Sequence, residues 1–88
     1  MAKFMCTHTI PPGKFSQEQL RQFAEAAQRD PAVKGYRSFA NLAEGKAVCI
    51  MEAAGQEAVA AWFTKMGMPF DSITKVELEG DRGSIQAA

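Results

Sequence analysis

An α+β fold of the ferredoxin-like type is predicted by three observations on this 88-residue chain. Six patterned segments follow one another as strand, helix, strand, strand, helix, strand. That βαββαβ order builds one antiparallel four-stranded sheet with two helices on one face. Turn and stop residues separate the segments. Several strands are apolar on both parities, so the sheet face that the helices leave bare is expected to meet a partner subunit or a ligand.

The first strand runs from Lys3 to Ile10, with Phe4, Cys6, His8 and Ile10 on one face and Met5, Thr7 and Thr9 on the other. Pro11-Pro12-Gly13 ends it, since proline has no N–H for a ladder and glycine permits the turn. Ser16 followed by Gln19 is a capping box, and it opens a helix. Leu20, Phe23, Ala24 and Ala27 form the apolar stripe of that helix, and Glu18, Arg21, Glu25 and Arg29 its wet side. Pro31 forbids its continuation.

A second strand is expected over about Lys34 to Leu42, then a reversal at Ala43-Glu44-Gly45, then a third strand over Lys46 to Ala53. The run Ala47-Val48-Cys49-Ile50-Met51 marks the third strand as central, covered on both faces. A second helix spans about Gln56 to Met66, with Val59, Phe63 and Met66 in register and Trp62 one step off the stripe. Gly67 fits its left-handed exit and Pro69 its stop. The last strand is expected over Ile73 to Glu79, with one polar parity and hence an edge position. Residues 1–80 thus form a single domain, and 81–88 are expected to be a flexible C-terminal tail.

Ten basic and ten acidic residues cancel. This balance leaves no electrostatic footprint for nucleic acid or an anionic membrane. No apolar stretch is long enough for a signal peptide or a transmembrane span. Two cysteines without a secretory signal suit a reducing, cytoplasmic setting in which both are free thiols.

Few residues carry chemistry. Cys6 and His8 leave the same strand face about 7 Å apart. That spacing lets sulfur and nitrogen donors converge on a soft or borderline ion such as nickel or zinc. Cys49, on the neighbouring third strand, is the expected third donor. The competing reading packs Cys6 as a small core hydrophobe. On the second strand, Tyr36 and Ser38 are expected to share one face and Arg37 the other. There a phenol, a hydroxyl and a guanidinium would orient a small polar ligand or hold a carboxylate. Glu52 closes the third strand beside the start of the second helix. It is either a metal ligand or base, or an acid favoured by the helix dipole.

The opening Phe4-Met5-Cys6-Thr7-His8-Thr9-Ile10-Pro11-Pro12-Gly13 resembles the first strand and turn of small families of the dimeric α/β-barrel superfamily. Arg37-Ser38-Phe39, Lys46 through Cys49 to Glu52-Ala53, and Gly67-Met68-Pro69 with Ile73-Thr74-Lys75-Val76 resemble the nickel-binding-protein-like family of that group. The resemblance covers nearly the whole chain. It implies a ferredoxin-like protomer, a homodimer whose sheets face one another, and a divalent metal such as nickel near the sheet. Cys49 and Glu52 match that family's Cys-x-x-Glu segment, and Ser38 its hairpin serine.

Three functional classes follow. The favoured one is a small dimeric protein that binds a divalent metal ion or a small molecule in the sheet cavity. The second is a cofactor-independent monooxygenase or isomerase, with His8, Tyr36 and Glu52 as the polar groups available to move a proton. The third is an assembly module whose bare face serves dimerisation alone.

Overall fold

The strand punctuation organises the chain as expected. In the computed structural model, which describes residues 1–88, the order is β1 (Ala2–Thr9), α1 (Gln17–Arg29), β2 (Val33–Asn41), β3 (Lys46–Ala53), α2 (Gln56–Met66) and β4 (Ser72–Lys75). A hairpin of β5 (Leu78–Asp81) and β6 (Ser84–Ala87) follows. The main sheet has the order β2-β3-β1-β4, and all three of its pairings are antiparallel. This is the ferredoxin-like arrangement, with β1 and β3 in the centre.

The start of α1 and the stop of α2 have local causes. The Ser16 side chain accepts from the Gln19 N–H while the Gln19 side chain accepts from the Ser16 N–H, closing the capping box. Gly67 ends α2 at φ 71°, the left-handed conformation that a Cβ disfavours. Gly45 closes the β2–β3 turn at φ 72° and under a second constraint: a Cβ there would lie 2.3 Å from the Ile10 carbonyl oxygen.

Strand parity sets the core. Phe4, Cys6, His8 and Ile10 are all buried, as are Ala47, Met51 and Ala53 of β3 and Ile73 of β4. Ala27 of α1 and Val59, Trp62 and Phe63 of α2 cover them and join one apolar cluster. The other face carries Lys3, Met5, Thr7 and Thr9 of β1 beside Val48, Ile50 and Glu52 of β3. No helix covers that face, and Met5 and Phe39 on it are exposed.

The C-terminal part departs from the sequence reading. The last sheet strand stops at Lys75 rather than Glu79. The Val76 N–H still reaches the Lys3 carbonyl at 2.9 Å, but from Leu78 the chain pairs with itself. Residues 81–88, expected as a tail, supply the turn and second strand of this hairpin. Arg82 and Gly83 both have positive φ, 49° and 92°, the tight turn that matches strand twist. Glu79 pins the hairpin to the bare sheet face: its carboxylate accepts from Lys3 Nζ at 2.6 Å and from the Tyr36 hydroxyl.

Candidate functional site

The register of β1 on β3 decides which candidate residues meet. Cys6 lies directly opposite Cys49, and His8 opposite Ala47. Neighbours across a ladder share a face, so Cys6, His8 and Cys49 all point toward the helices. Glu52 lies opposite Lys3 and Lys34, on the bare face, and does not join them. No three or more of the histidine, cysteine, aspartate and glutamate side chains converge on a point where they could hold a metal ion.

On β2 the expected parity fails at one residue. The pairing slips between Gly35 and Arg37, opposite Met51 and Ile50, so Tyr36 is the extra residue of a β-bulge. Tyr36 and Ser38 therefore do not share a face as strict alternation requires. The Tyr36 ring lies under Lys3 Nζ, 4.2 Å from ring centroid to nitrogen, with its hydroxyl on Glu79. Ser38 lies opposite Cys49, on the helix side, while Arg37 stacks its guanidinium 5.2 Å from the Phe39 ring centroid. The three residues do not share one face of the strand, yet all of them line the same cavity.

A cavity of about 280 Å³ opens between α1 and the sheet, and His8, Ser38 and Cys49 line it. Its walls are otherwise mostly apolar, with Ile10, Leu20, Phe23, Trp62, Phe63 and Met68 among them. Trp62 is 6% exposed and meets Phe63 edge-on, so it is a wall of this cavity rather than a surface marker.

His8 is the one buried side chain with a polar atom left over. It is 2% exposed, packed edge-on against Phe63 at 4.9 Å between centroids. Its Nδ1 lies 2.7 Å from the Pro69 carbonyl oxygen. A carbonyl only accepts, so Nδ1 carries the proton, and in the neutral ring Nε2 is a lone-pair acceptor. Nε2 is buried and has no partner. In the sequence Pro69 marks only a helix stop, and nothing local in the chain pairs it with a residue 61 positions away.

The two thiols are held protonated. Burial, with Cys49 beside it, pushes the Cys6 thiol up to about 12, and burial pushes that of Cys49 up to about 11. Cys6 is fully buried and its Sγ donates weakly to the Phe4 carbonyl at 3.6 Å, as a packed core thiol would. Around Glu79 the shifts have the opposite origin. The Lys3 ammonium, then the Tyr36 hydroxyl, hold its carboxyl below the usual range, while the same contacts raise Lys3 and Tyr36.

Fold and site together define a small ferredoxin-like protein with a helix-roofed apolar cavity and a single unpartnered imidazole nitrogen. The profile of the family described as nickel responsive protein SCO4226-like matches residues 4–76, and the chain belongs to that family. Among solved structures it is similar to that of SCO4226 from Streptomyces coelicolor A3(2). The identity is 29% and the TM-score 0.74, over 90% of this chain and 100% of the other. No curated protein is similar enough to count as a match.

Proposed function

We propose that this chain is a small dimeric binding protein for a divalent metal ion of borderline softness, nickel being the ion its family's description points to. The observation that carries the reading is His8. Metal-bound histidines commonly donate their second ring nitrogen to a backbone carbonyl, which fixes the tautomer and aims the lone pair. His8 already has that arrangement through Pro69, and its Nε2 has no other use in the fold. Cys49, lining the same cavity, would supply a sulfur donor, with Cys6 behind it on the same face. Nickel accepts both imidazole and thiolate. Glu52, on the opposite face, is outside this donor set. Two protein donors leave open positions on the ion, as suits a protein that responds to a metal rather than one built around it.

The dimer is proposed from the bare sheet face. Met5, Phe39, Val48 and Ile50 present apolar surface there, and Leu78 and Ile85 of the hairpin are 62% and 69% exposed. An 88-residue chain has little core to spare, and a two-fold pairing of these faces would cover that surface. No helix is long and apolar enough to cross a membrane, and two free thiols suit a reducing compartment.

Calorimetry with nickel chloride on metal-free, tag-free protein tests the metal. Binding that is abolished in His8→Ala supports the site, and equal affinity in the variant removes His8 from it. Sedimentation of the parent and of Val48→Lys tests the dimer. A parent that is monomeric at high micromolar concentration would end that part of the reading.

A further inference from the structure

The C-terminal hairpin has two unlike faces. Its strands pair Leu78 with Ala87, Glu79 with Gln86, Gly80 with Ile85 and Asp81 with Ser84. Residues paired across a ladder share a face, so Glu79, Asp81, Ser84 and Gln86 make a polar side and Leu78, Gly80, Ile85 and Ala87 an apolar one. Glu79 turns the polar side toward the chain's own sheet, where its carboxylate meets Lys3 and Tyr36. The apolar side therefore points outward. After Met1, Ile85 and Leu78 are the most exposed large apolar side chains of the molecule. Gly80 shapes this side: a Cβ there would lie 2.8 Å from Ile85 Cδ1, so the isoleucine lies across the glycine. The hairpin sits beyond residue 76, where the match to the family ends.

A two-stranded hairpin with nothing packed on its apolar side is marginal in water. The main sheet has the complementary need. Phe39 lies opposite Val48 and Met5 opposite Ile50, so these four make one apolar patch on the bare face. Four strands about 4.8 Å apart and about seven residues long give that face at most about 19 by 23 Å. Even that footprint, about 440 Å², is little more than half of the roughly 800 Å² that each partner of a stable dimer buries. The sheet face alone is too small, and the hairpin is the next apolar surface available.

We propose that the hairpin is a dimer arm whose apolar side lies on the Met5, Phe39, Val48 and Ile50 patch of a second copy, an inference that rests on the dimer reading and adds the surface that closes it. Two-fold symmetry lets each arm cover the other copy's patch. Both apolar surfaces of both chains are then buried at once, and no complementary pair is left over to propagate a fibre. Glu79 positions the arm: by holding the polar side against Lys3 and Tyr36 of its own chain, it presents Leu78 and Ile85 to the partner.

Sedimentation of the full chain and of lysine variants measures the dimer dissociation constant. Ile85→Lys should raise it by about a hundredfold or more, since a buried isoleucine is worth about a factor of ten and symmetry counts the loss twice. The position is exposed within one chain, so the protomer fold is not at stake. Ala61→Lys, the same change of charge on an exposed position of α2, should leave the constant unchanged. A cross-link identifies what each arm covers. The double variant Phe39→Cys with Ile85→Cys, oxidised with copper-phenanthroline, should form disulfides between positions 39 and 85 of two chains. An internal bridge would show the hairpin folded on its own sheet, and either that result or the lack of a link between chains would overturn the proposal. An unchanged dissociation constant in Ile85→Lys would overturn it too, and a dimer still broken by Val48→Lys would then leave the sheet-face reading standing without the arm. A monomeric parent would end both.

Discussion

His8 Nδ1 and the carbonyl oxygen of Pro69, 2.7 Å apart, tie the central strand of the sheet to the loop that leaves α2. The bond fixes the imidazole as the Nδ1–H tautomer and leaves the Nε2 lone pair buried without a partner. Nitrogen-resolved NMR of the imidazole should therefore show the proton on Nδ1 in the metal-free protein. Observation of the Nε2–H tautomer would reverse the donor and acceptor roles argued for the site.

His8 also separates packing from polarity. His8→Ala removes a fully packed ring and should cost about 3 kcal/mol, as truncation of other buried rings does. His8→Phe keeps the volume and the edge contact with Phe63 while removing the unsatisfied Nε2. The carbonyl it strands on Pro69 offsets part of that gain. Its cost should stay within about 1 kcal/mol. Equal urea midpoints for the two variants would show that the ring contributes no packing.

The helix ends give smaller effects. Ser16→Ala breaks the capping box and should cost about 1 kcal/mol. Gly67→Ala places a Cβ at φ 71° and should cost about 1–2 kcal/mol, although no atom lies close enough to clash. Urea denaturation checks both, and neutrality at both positions would mean that the termini do not stabilise the fold.

The sequence displays what depends on neighbours along the chain and hides what depends on distant ones. Ser16 with Gln19, Pro31, Gly45 and Gly67 mark element ends through local backbone chemistry, so the order of six elements is readable. The burial of Phe4, Cys6, His8 and Ile10 follows from period-two alternation. The bulge at Tyr36 does not, because Lys34-Gly35-Tyr36-Arg37-Ser38 alternates normally, and only pairing with β3 shows the slip. The break at Val76 is hidden for a similar reason: Val76 and Leu78 continue the alternation, yet the chain turns to pair with its own C terminus. Of the candidate site, the sequence displays Cys6, His8 and Cys49 on neighbouring strands, whereas the Pro69 carbonyl and the cavity under α1 are products of the fold.

The Lys3–Glu79–Tyr36 contact should make hairpin docking pH-dependent. The Glu79 carboxyl is held below its ordinary range by Lys3 and Tyr36, so the folded form binds its proton less readily than the free chain. The contribution is therefore fully present above the ordinary carboxylate value near 4.3 and is lost as pH falls through the lower folded value. Hydrogen exchange of the amides of residues 78–87 should show the hairpin loosening on acidification. In Glu79→Gln that pH dependence should disappear, with the hairpin already looser at neutral pH. An unchanged exchange pattern in the variant would detach Glu79 from the docking.

The thiols supply a direct count of sulfur donors in any nickel complex. In the metal-free protein Cys49 is pushed up to about 11 and Cys6 to about 12, so at neutral pH both are protonated and inert toward iodoacetamide. A raised folded value means that their contribution to stability is complete below the ordinary thiol range and erodes as pH rises toward 11 and 12. Binding nickel requires the thiolate, so each cysteine that joins the ion must release one proton. Below their raised values, the nickel association constant should then increase about tenfold per pH unit for each thiol used. Between pH 7 and 8 a slope of one is expected, with Cys49 as the donor, because Cys49 lines the cavity and Cys6 is packed behind it against Phe4. Cys49→Ser should flatten that slope while Cys6→Ser leaves it unchanged. A slope of two in the parent would bring Cys6 into the complex. A flat profile in the parent would leave His8 as the sole protein ligand and exclude both thiols from the site.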